Sequence, residues 1–169
     1  LKIHPRENDL IVATHGRGIY IADISPLAEV DLETLGQGAY FFQPESKVRW
    51  VSGISNESAS DNFNGESEAM EIPFYYWLQS NAGGEVSFEV KQGNVTIATV
   101  TGPATAGLNK VAWNMAKAPA GGGQAQATGR FRRPAPAPLG EYTVVMSANG
   151  QEMSRTVSIL KDEWWMLRK

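Results

Sequence analysis

Short apolar runs and alternating apolar and polar positions dominate the chain, and both patterns are typical of β-strands. In residues 85–91 every second side chain is apolar, which is the pattern of a strand buried on one face. Residues 9–14 and 19–22 are rich in β-branched and aromatic side chains and flank a His-Gly-Arg-Gly turn, which predicts a β-hairpin. Only one helical turn is expected, at residues 31–36. The pattern therefore predicts an all-β protein.

A series of antiparallel strands is predicted between residues 71 and 161. Asn149-Gly150 separates two of them and is the strongest short-range signal for a hairpin. Residues 92–94 (Gln-Gly-Asn) form a second turn, because Gly and Asn tolerate positive φ. Five or more such strands over about 90 residues predict a small β-sandwich. The extended segments are residues 39–42, 47–51, 72–79, 85–91, 95–101, 108–115, 140–148 and 151–160. The predicted core residues are Phe88, Ile97, Trp113, Tyr142 and Val144.

Two stretches lack strand patterns. Residues 52–70 are rich in Ser, Asn, Glu, Asp and Gly and are expected to form a loop or linker. Residues 116–139 are rich in Ala, Pro and Gly, and a loop of this length is generally functional or disordered. We favour disorder, because three consecutive glycines maximise chain entropy. The exception is residues 130–133, where three arginines surround one phenylalanine.

Composition excludes several classes of protein. Fifteen Lys and Arg against eighteen Asp and Glu give a net charge of −3, which does not favour binding to nucleic acid or anionic lipid. The sequence contains no run of eighteen apolar residues that would predict a membrane span, and its charged start is not a signal peptide. Cysteine is absent, which excludes disulfides, thiolate nucleophiles and Cys-based zinc sites. Because the first residue is Leu1, we expect a mature product or a piece of a longer protein.

The residues suited to catalysis or metal binding are few. His15 lies in the hairpin turn, where it could bind a ligand or simply close the turn, and we favour the second interpretation. Residues 61–68 concentrate oxygen donors that could hold calcium, but they lack the EF-hand spacing, so a solvated loop is favoured. The serines have no Gly-x-Ser-x-Gly elbow and no His-Asp partner pattern. We therefore predict no catalytic residue, no cofactor-binding residue, no metal ligand and no cofactor.

The tryptophans are candidates for stacking on sugar rings or for contact with a partner. Trp77 and Trp113 lie within predicted strands and are expected in the core, whereas Trp50 follows a strand. Trp164 and Trp165 follow the last strand among charged residues, and two adjacent indoles cannot face one core in an extended chain. They could pack against the N-terminal segment or meet a partner. The predicted partner-binding residues are Arg130, Phe131, Arg132, Arg133, Trp164 and Trp165.

Four segments resemble parts of large bacterial β-propeller proteins. Residues 4–27 (HPRENDLIVATHGRGIYIADISPL) resemble the end of the last blade in sortilin-like (VPS10) and BNR-repeat, sialidase-like propellers. Residues 107–114 (GLNKVAWN) and 139–144 (LGEYTV) resemble the Ig-like, FlgD-like module that follows such propellers. Residues 62–66 (NFNGE) before a Tyr-Tyr strand belong to the same pattern.

The resemblance implies an antiparallel Ig-like or FlgD-like β-sandwich preceded by terminal strands of a β-propeller blade. The implied organisation is terminal propeller strands at residues 1–27, a connecting segment and linker at 28–70, the sandwich at 71–161 and a tail at 162–169. A blade has four strands and a propeller roughly four to eight blades, whereas residues 1–27 supply two strands at most. We therefore expect this segment to need a partner surface to cover its edges.

The function implied is that of a non-catalytic C-terminal accessory module of a secreted β-propeller protein, which supports the propeller and binds protein or glycan. The expected partner is propeller polypeptide, in the same parent protein or on a separate chain, and the expected location is extracytoplasmic. The alternative is the terminal fragment of a propeller hydrolase whose active site lies upstream. Sialidase-like catalysis requires an arginine cluster, a Tyr nucleophile and an acid at a propeller centre. Tyr20 and Arg17 have nominally suitable side chains, but their spacing is that of ordinary hairpin residues.

Overall fold

The computed structural model describes residues 1–5, 8–16, 18–50, 69–118 and 134–163. The fold is all-β, and the elements assigned within these ranges include two helices of four and five residues. The strands are β1 (Lys2–Ile3), β2 (Asp9–Thr14), β3 (Gly18–Asp23), β4 (Ala39–Phe41), β5 (Lys47–Arg49), β6 (Ile72–Leu78), β7 (Val86–Gln92), β8 (Val95–Gly102), β9 (Gly107–Trp113), β10 (Gly140–Ala148) and β11 (Gln151–Lys161). The helices are α1 (Ser25–Ala28) and α2 (Leu32–Gly36).

The N-terminal sheet has the order β1-β2-β3, and each neighbouring pair is antiparallel. The predicted hairpin is confirmed as β2 and β3, which pair from Asp9↔Asp23 to Thr14↔Gly18. The prediction that residues 1–27 supply at most two strands was wrong, because Lys2 and Ile3 form a third strand that pairs with Ile11 and Leu10. A strand of two residues is too short to give a periodic pattern.

The other strands form two sheets, with the orders β4-β6-β9 and β5-β11-β10-β7-β8. All pairs are antiparallel except β5 with β11, so the larger sheet is mixed. Strands β4 and β5 come from the expected connecting segment and pair with β6 and β11. At the predicted Asn-Gly turn, Asn149 and Gly150 have φ values of 51° and 74°. Both lie in the left-handed region that such a turn requires.

One hydrophobic core receives side chains from both of these sheets. Phe74 of the three-stranded sheet stacks on Phe88 of the five-stranded sheet with ring centroids 5.5 Å apart, and Phe41 meets Phe88 at 5.3 Å. The Trp113 ring lies 5.1 Å from that of Tyr142, again across the two sheets. Aromatic pairs of this geometry add to the free energy gained by burial.

Four of the five predicted core residues are confirmed, and the exception has a local cause. Phe88, Trp113, Tyr142 and Val144 are buried, whereas Ile97 is only partly buried. A β-bulge shifts the register there: Val90 pairs with Ala98, and Lys91 pairs with Thr96. Ile97 is the extra residue between these pairs, so Ala98 takes the core position.

The expectation of a structureless segment at residues 116–139 was wrong at both ends. Ala116 forms a β-bridge with Pro136, and the Ala137 N–H donates to the Met115 carbonyl at 2.9 Å. Ala137 is fully buried, and the Ala118 N–H donates to the Ile97 carbonyl on the edge of β8. Residues 119–133 lie outside the described part of the chain.

The short helices connect the N-terminal sheet to β4. The Asp31 carboxylate caps α2 by accepting from the Thr34 N–H at 2.7 Å, which lowers the pKa of that carboxyl group. The Glu29 carboxylate accepts from the Gln43 N–H at 3.1 Å and from the Tyr40 hydroxyl at 3.4 Å. Among the described residues, no helix is long and apolar enough to cross a membrane.

Candidate functional site

The N-terminal sheet carries apolar side chains on both of its faces. Residues that pair directly across an antiparallel ladder point to the same face, and successive residues point to opposite faces. The pairing of β1, β2 and β3 therefore assigns every side chain of this sheet to one of two faces. The first face holds Lys2, Asp9, Ile11, Ala13, Ile19, Ile21 and Asp23. The second face holds Ile3, Leu10, Val12, Thr14, Tyr20 and Ala22.

Strand β3 is exposed along most of its length. Ile19 and Ile21 on the first face are 72% and 65% exposed, and Tyr20 on the second face is 64% exposed. Leu10 and Val12 on β2 are half-buried. Large apolar side chains on both faces of an open strand mark a surface that another element covers. We take this sheet as the candidate functional site.

The hydrogen-bonding direction of each residue on β3 follows from the ladder. The Ile24 N–H donates to the Asn8 carbonyl at 3.1 Å, so these two residues form a hydrogen-bonded pair. Because hydrogen-bonded and non-hydrogen-bonded pairs alternate, Tyr20 and Ala22 also bond to β2. The backbone N–H and C=O groups of Ile19, Ile21 and Asp23 point to the opposite side. In the part of the chain that the structure describes, no strand pairs with that outer edge.

Two carboxylates face each other at one end of this sheet. Asp9 and Asp23 are paired across β2 and β3 and lie on the first face. Asp23 Oδ1 accepts a hydrogen bond from the Ser25 N–H at 2.8 Å. Like charges directly opposite each other on a sheet repel, and the same face also carries the cationic side chain of Lys2.

The turn between β2 and β3 offers little chemistry among its described residues. His15 is exposed, and the next residue, Gly16, has a φ of 89° that favours glycine. The Thr14 hydroxyl donates to the Gly18 carbonyl at 3.2 Å and closes the turn. Within the described ranges, no three His, Cys, Asp or Glu side chains are grouped so that they could hold a metal ion. Arg17 lies outside these ranges.

The described tryptophans occupy three different environments. Trp113 is in the core as predicted, and its Nε1 donates to the Ala116 carbonyl at 2.9 Å. The prediction for Trp77 was wrong: its neighbours in register are Tyr40 and Leu108, on the outer face of the three-stranded sheet. Strand β6 alternates strictly, so a residue between the buried Tyr76 and Leu78 must point outward. The Trp77 Nε1 is buried without a hydrogen-bond partner.

Trp50 borders a shallow groove of about 480 Å³ next to the end of β11. Val48 and Leu160 line it and pair across β5 and β11. Trp50 and Leu160 are about half exposed. The groove also contains charged side chains, including Lys161 and Glu163. It is therefore an amphipathic surface rather than an enclosed pocket.

All six predicted partner-binding residues lie outside the described part of the chain, and so does the possible calcium loop at residues 61–68. Those assignments stay predictions. The six residues are Arg130, Phe131, Arg132, Arg133, Trp164 and Trp165. The open sheet edge was not predicted residue by residue. The alternating positions of β3 could have identified it once the hairpin register was known.

Comparisons with protein-family models, with curated proteins and with solved structures find no match to this chain. The resemblance to propeller and FlgD-like proteins therefore stays a prediction.

Proposed function

We propose that this chain is a non-catalytic accessory module of a secreted β-propeller protein, in which it supports the propeller and contacts protein or glycan. The observation that carries the proposal is the N-terminal sheet, with apolar side chains on both faces and with Ile19, Tyr20 and Ile21 about two-thirds exposed. A sheet of this kind gains stability when other layers cover both faces.

A propeller supplies such layers on both sides. Its blades are sheets of four strands arranged around a central channel, so each blade has a neighbour at either face. The three strands β1, β2 and β3 fit a blade that lacks one strand. In this proposal residues 1–27 are the terminal part of a blade, and propeller polypeptide is the partner, either in the same parent protein or as a separate chain.

The rest of the described chain is proposed to be an Ig-like or FlgD-like β-sandwich. The support is a core shared by two sheets, with aromatic contacts such as Phe74–Phe88 and Trp113–Tyr142 between them. Sandwiches of this class frequently serve as contact modules. The groove beside Trp50 is a surface through which this one could contact protein or glycan.

Binding to the propeller polypeptide tests the proposal. The reading frame that contains the chain is determined, the propeller polypeptide is produced separately, and its Kd for the 169-residue chain is measured by calorimetry. A double variant Ile19→Lys/Ile21→Lys disrupts the first face, and Tyr20→Lys disrupts the second. We expect each to weaken binding by more than about tenfold, because a charge would be buried against an apolar layer.

Leu32→Lys is the matched control, because Leu32 is 90% exposed on α2 and lies outside the sheet. It should bind like the wild-type chain. Absence of propeller sequence from the native gene products, or unchanged binding by the variants of both faces, would contradict the proposed function.

A further inference from the structure

The outer edge of β3 is a hydrogen-bonding surface with which no strand in the described part of the chain pairs. Ile19, Ile21 and Asp23 direct their backbone N–H and C=O groups away from β2, as the register of the hairpin requires. Proteins commonly block an open edge with Pro, Lys or a bulge. The segment Gly18–Asp23 contains neither Pro nor Lys, and its pairing with β2 is continuous. The edge is therefore open to another strand.

We propose that this edge pairs with the same edge of a second copy of the chain, antiparallel and with the two Tyr20 residues opposite each other. The two N-terminal sheets then join into one continuous sheet around a two-fold axis. Ile19 of each copy lies opposite Ile21 of the other. Because both residues direct their backbone groups outward, each of these pairs exchanges both N–H···O hydrogen bonds. The inference goes beyond the proposed function, since it requires no propeller polypeptide.

Apolar side chains meet on the first face of the joined sheet. Residues directly opposite each other share a face, so Ile19 and Ile21 of one copy lie beside Ile21 and Ile19 of the other. In the single chain both side chains are about two-thirds exposed or more. Their contact removes apolar surface from water, which adds to the hydrogen bonds of the edge.

The second face has room for both tyrosine rings. The two Tyr20 residues form a non-hydrogen-bonded pair, in which the Cα atoms approach most closely. Each ring leans over Gly18 of its own strand, because a Cβ added to Gly18 would lie 3.5 Å from Tyr20 Cε2. In antiparallel strands the two rings therefore lean in opposite directions and lie side by side. The residues next to them, Gly18 of one copy opposite Ala22 of the other, are small.

The charge at the end of β3 distinguishes this register from its alternative. Pairing about Ile21 uses the same outward groups, but it places the Asp23 carboxylate opposite the aliphatic Ile19 of the other copy. Pairing about Tyr20 places Asp23 opposite position 17, which is an arginine in the sequence. Arg17 itself lies outside the described residues. Opposite charges at facing positions favour the register about Tyr20.

The other carboxylate at this end has a cationic neighbour within its own chain. Lys2 pairs with Ile11, so it lies on the first face as a diagonal neighbour of Asp9. A second copy thus brings a cationic residue to Asp23, while Lys2 offsets the charge of Asp9. Neither carboxylate requires a basic strand from a different protein.

Disulfide trapping measures the register directly, because the wild-type chain contains no cysteine. In the proposed dimer Tyr20→Cys places two thiols at facing positions with Cα atoms about 4.5 Å apart, within the range that a disulfide spans. The matched control is Ile21→Cys, whose two copies are diagonal neighbours about 7–8 Å apart, too far for an unstrained bridge. Leu32→Cys, at a site that is 90% exposed and outside the sheet, measures collisional cross-linking.

The cysteine variants are oxidised by dissolved oxygen and resolved on a non-reducing gel. We expect Tyr20→Cys to give at least about tenfold more covalent dimer than Ile21→Cys or Leu32→Cys. Preferential cross-linking of Ile21→Cys would refute the register about Tyr20. Equal cross-linking of all three variants would refute the edge contact.

Sedimentation equilibrium of the full 169-residue chain measures association without a cross-link. We expect the mass to rise from monomer towards dimer between about 5 and 500 μM. Ile21→Pro removes an outward N–H that the hairpin does not use, at an edge position that tolerates proline, whereas Ile21→Ala keeps the N–H. The proline variant should raise the Kd of the dimer by at least about tenfold, and more than the alanine variant does. Slow amide exchange at Val12, which pairs with Tyr20, shows that the hairpin persists in both.

Asp23→Arg tests the charge complementarity, because it places two arginines opposite each other at each end of the joined strands. It should weaken the dimer by about threefold or more, whereas Asp23→Asn should weaken it less.

Three outcomes would overturn the proposal. The chain stays monomeric over the whole concentration range, Ile21→Pro associates like the wild-type chain, or Asp23→Arg strengthens association. A dimer that survives Ile21→Pro but is lost in Ile19→Lys/Ile21→Lys would show that the sheets stack by their faces instead. None of these results decides the proposed function, which depends on binding of propeller polypeptide.

Discussion

The hydroxyl group of Tyr76 occupies the space that a side chain at Gly102 would need. A Cβ added to Gly102 would overlap that hydroxyl oxygen and lie 3.3 Å from Cε2 of Phe88. The same hydroxyl donates a hydrogen bond to the Pro103 carbonyl at 2.5 Å. Strand β8 therefore lies so close to β6 of the other sheet that only glycine fits at position 102.

Gly102→Ala should lower the free energy of unfolding by about 1–3 kcal/mol, because an added methyl group in a packed core forces neighbouring atoms to shift. In a Tyr76→Phe background the penalty should be smaller, since the overlapping oxygen is gone. It should not vanish, because the Tyr76 Cζ is 3.1 Å from the added Cβ. Urea denaturation of the two single variants and the double variant measures this coupling. Strictly additive losses would contradict the assigned contact.

Much of the fold follows from local sequence signals. The alternation in residues 85–91 predicts β7, and the burial of Val86, Phe88 and Val90 agrees with it. The Asn149-Gly150 turn is predicted because its backbone conformation requires those residue types. Both features depend on residues that are neighbours in the sequence, so one amino-acid sequence is sufficient to predict them.

The features that were missed depend on contacts between distant segments. A bulge opposite Val90 moves Ile97 out of the core position, and nothing in the local pattern of β8 marks it. Trp77 lies in an apolar run in which both neighbours are also apolar, so the sequence does not show which face is inside. The parallel pairing of β5 with β11 joins segments more than 100 residues apart.

The candidate site was predicted in part. The sequence indicates a hairpin whose open edges require a partner surface. However, the apolar runs in β2 and β3 would have the same pattern if these strands were buried. Only the pairing register shows that Ile19, Ile21 and Asp23 present the free backbone groups.

Trp113→Ala should lower the free energy of unfolding by about 3–5 kcal/mol, because the indole is buried in the shared core. The change also removes the hydrogen bond to the Ala116 carbonyl and the ring contact with Tyr142. Trp77→Ala is the matched control: it deletes the same side chain from the outer face, where the indole N–H has no partner. We expect a clearly smaller loss in the control. Similar urea midpoints for Trp113→Ala and wild type would contradict the core assignment.

Gly150→Ala should destabilise the β10–β11 hairpin. Gly150 has a φ of 74°, in the left-handed region, where a Cβ costs about 1–2 kcal/mol. No atom lies within 4 Å of the added Cβ, so the expected penalty comes from the backbone alone. Gly84→Ala is a suitable control, because that glycine also has open space around it but no positive φ. Measured by thermal denaturation, the Tm of Gly150→Ala should be lower than that of the wild-type chain, whereas the Tm of Gly84→Ala should be unchanged. Equal Tm values for the two variants would contradict the turn geometry.

Alkaline pH should destabilise the protein through Tyr76. Burial raises the pKa of this hydroxyl from its ordinary value of 10.0 to about 12, so the folded chain holds the proton more tightly than the unfolded chain does. The corresponding stability is complete below pH 10 and is lost as the pH rises towards about 12.

The variant Tyr76→Phe has no such proton. Its free energy of unfolding should therefore fall less steeply over this range, even though the lost hydrogen bond costs about 0.5–1.5 kcal/mol at neutral pH. Burial also raises the pKa of Tyr142, but that group titrates in both proteins, so the difference between the two urea series isolates Tyr76. Parallel pH curves for wild type and variant would show that the Tyr76 hydroxyl ionises alike in the folded and unfolded chains.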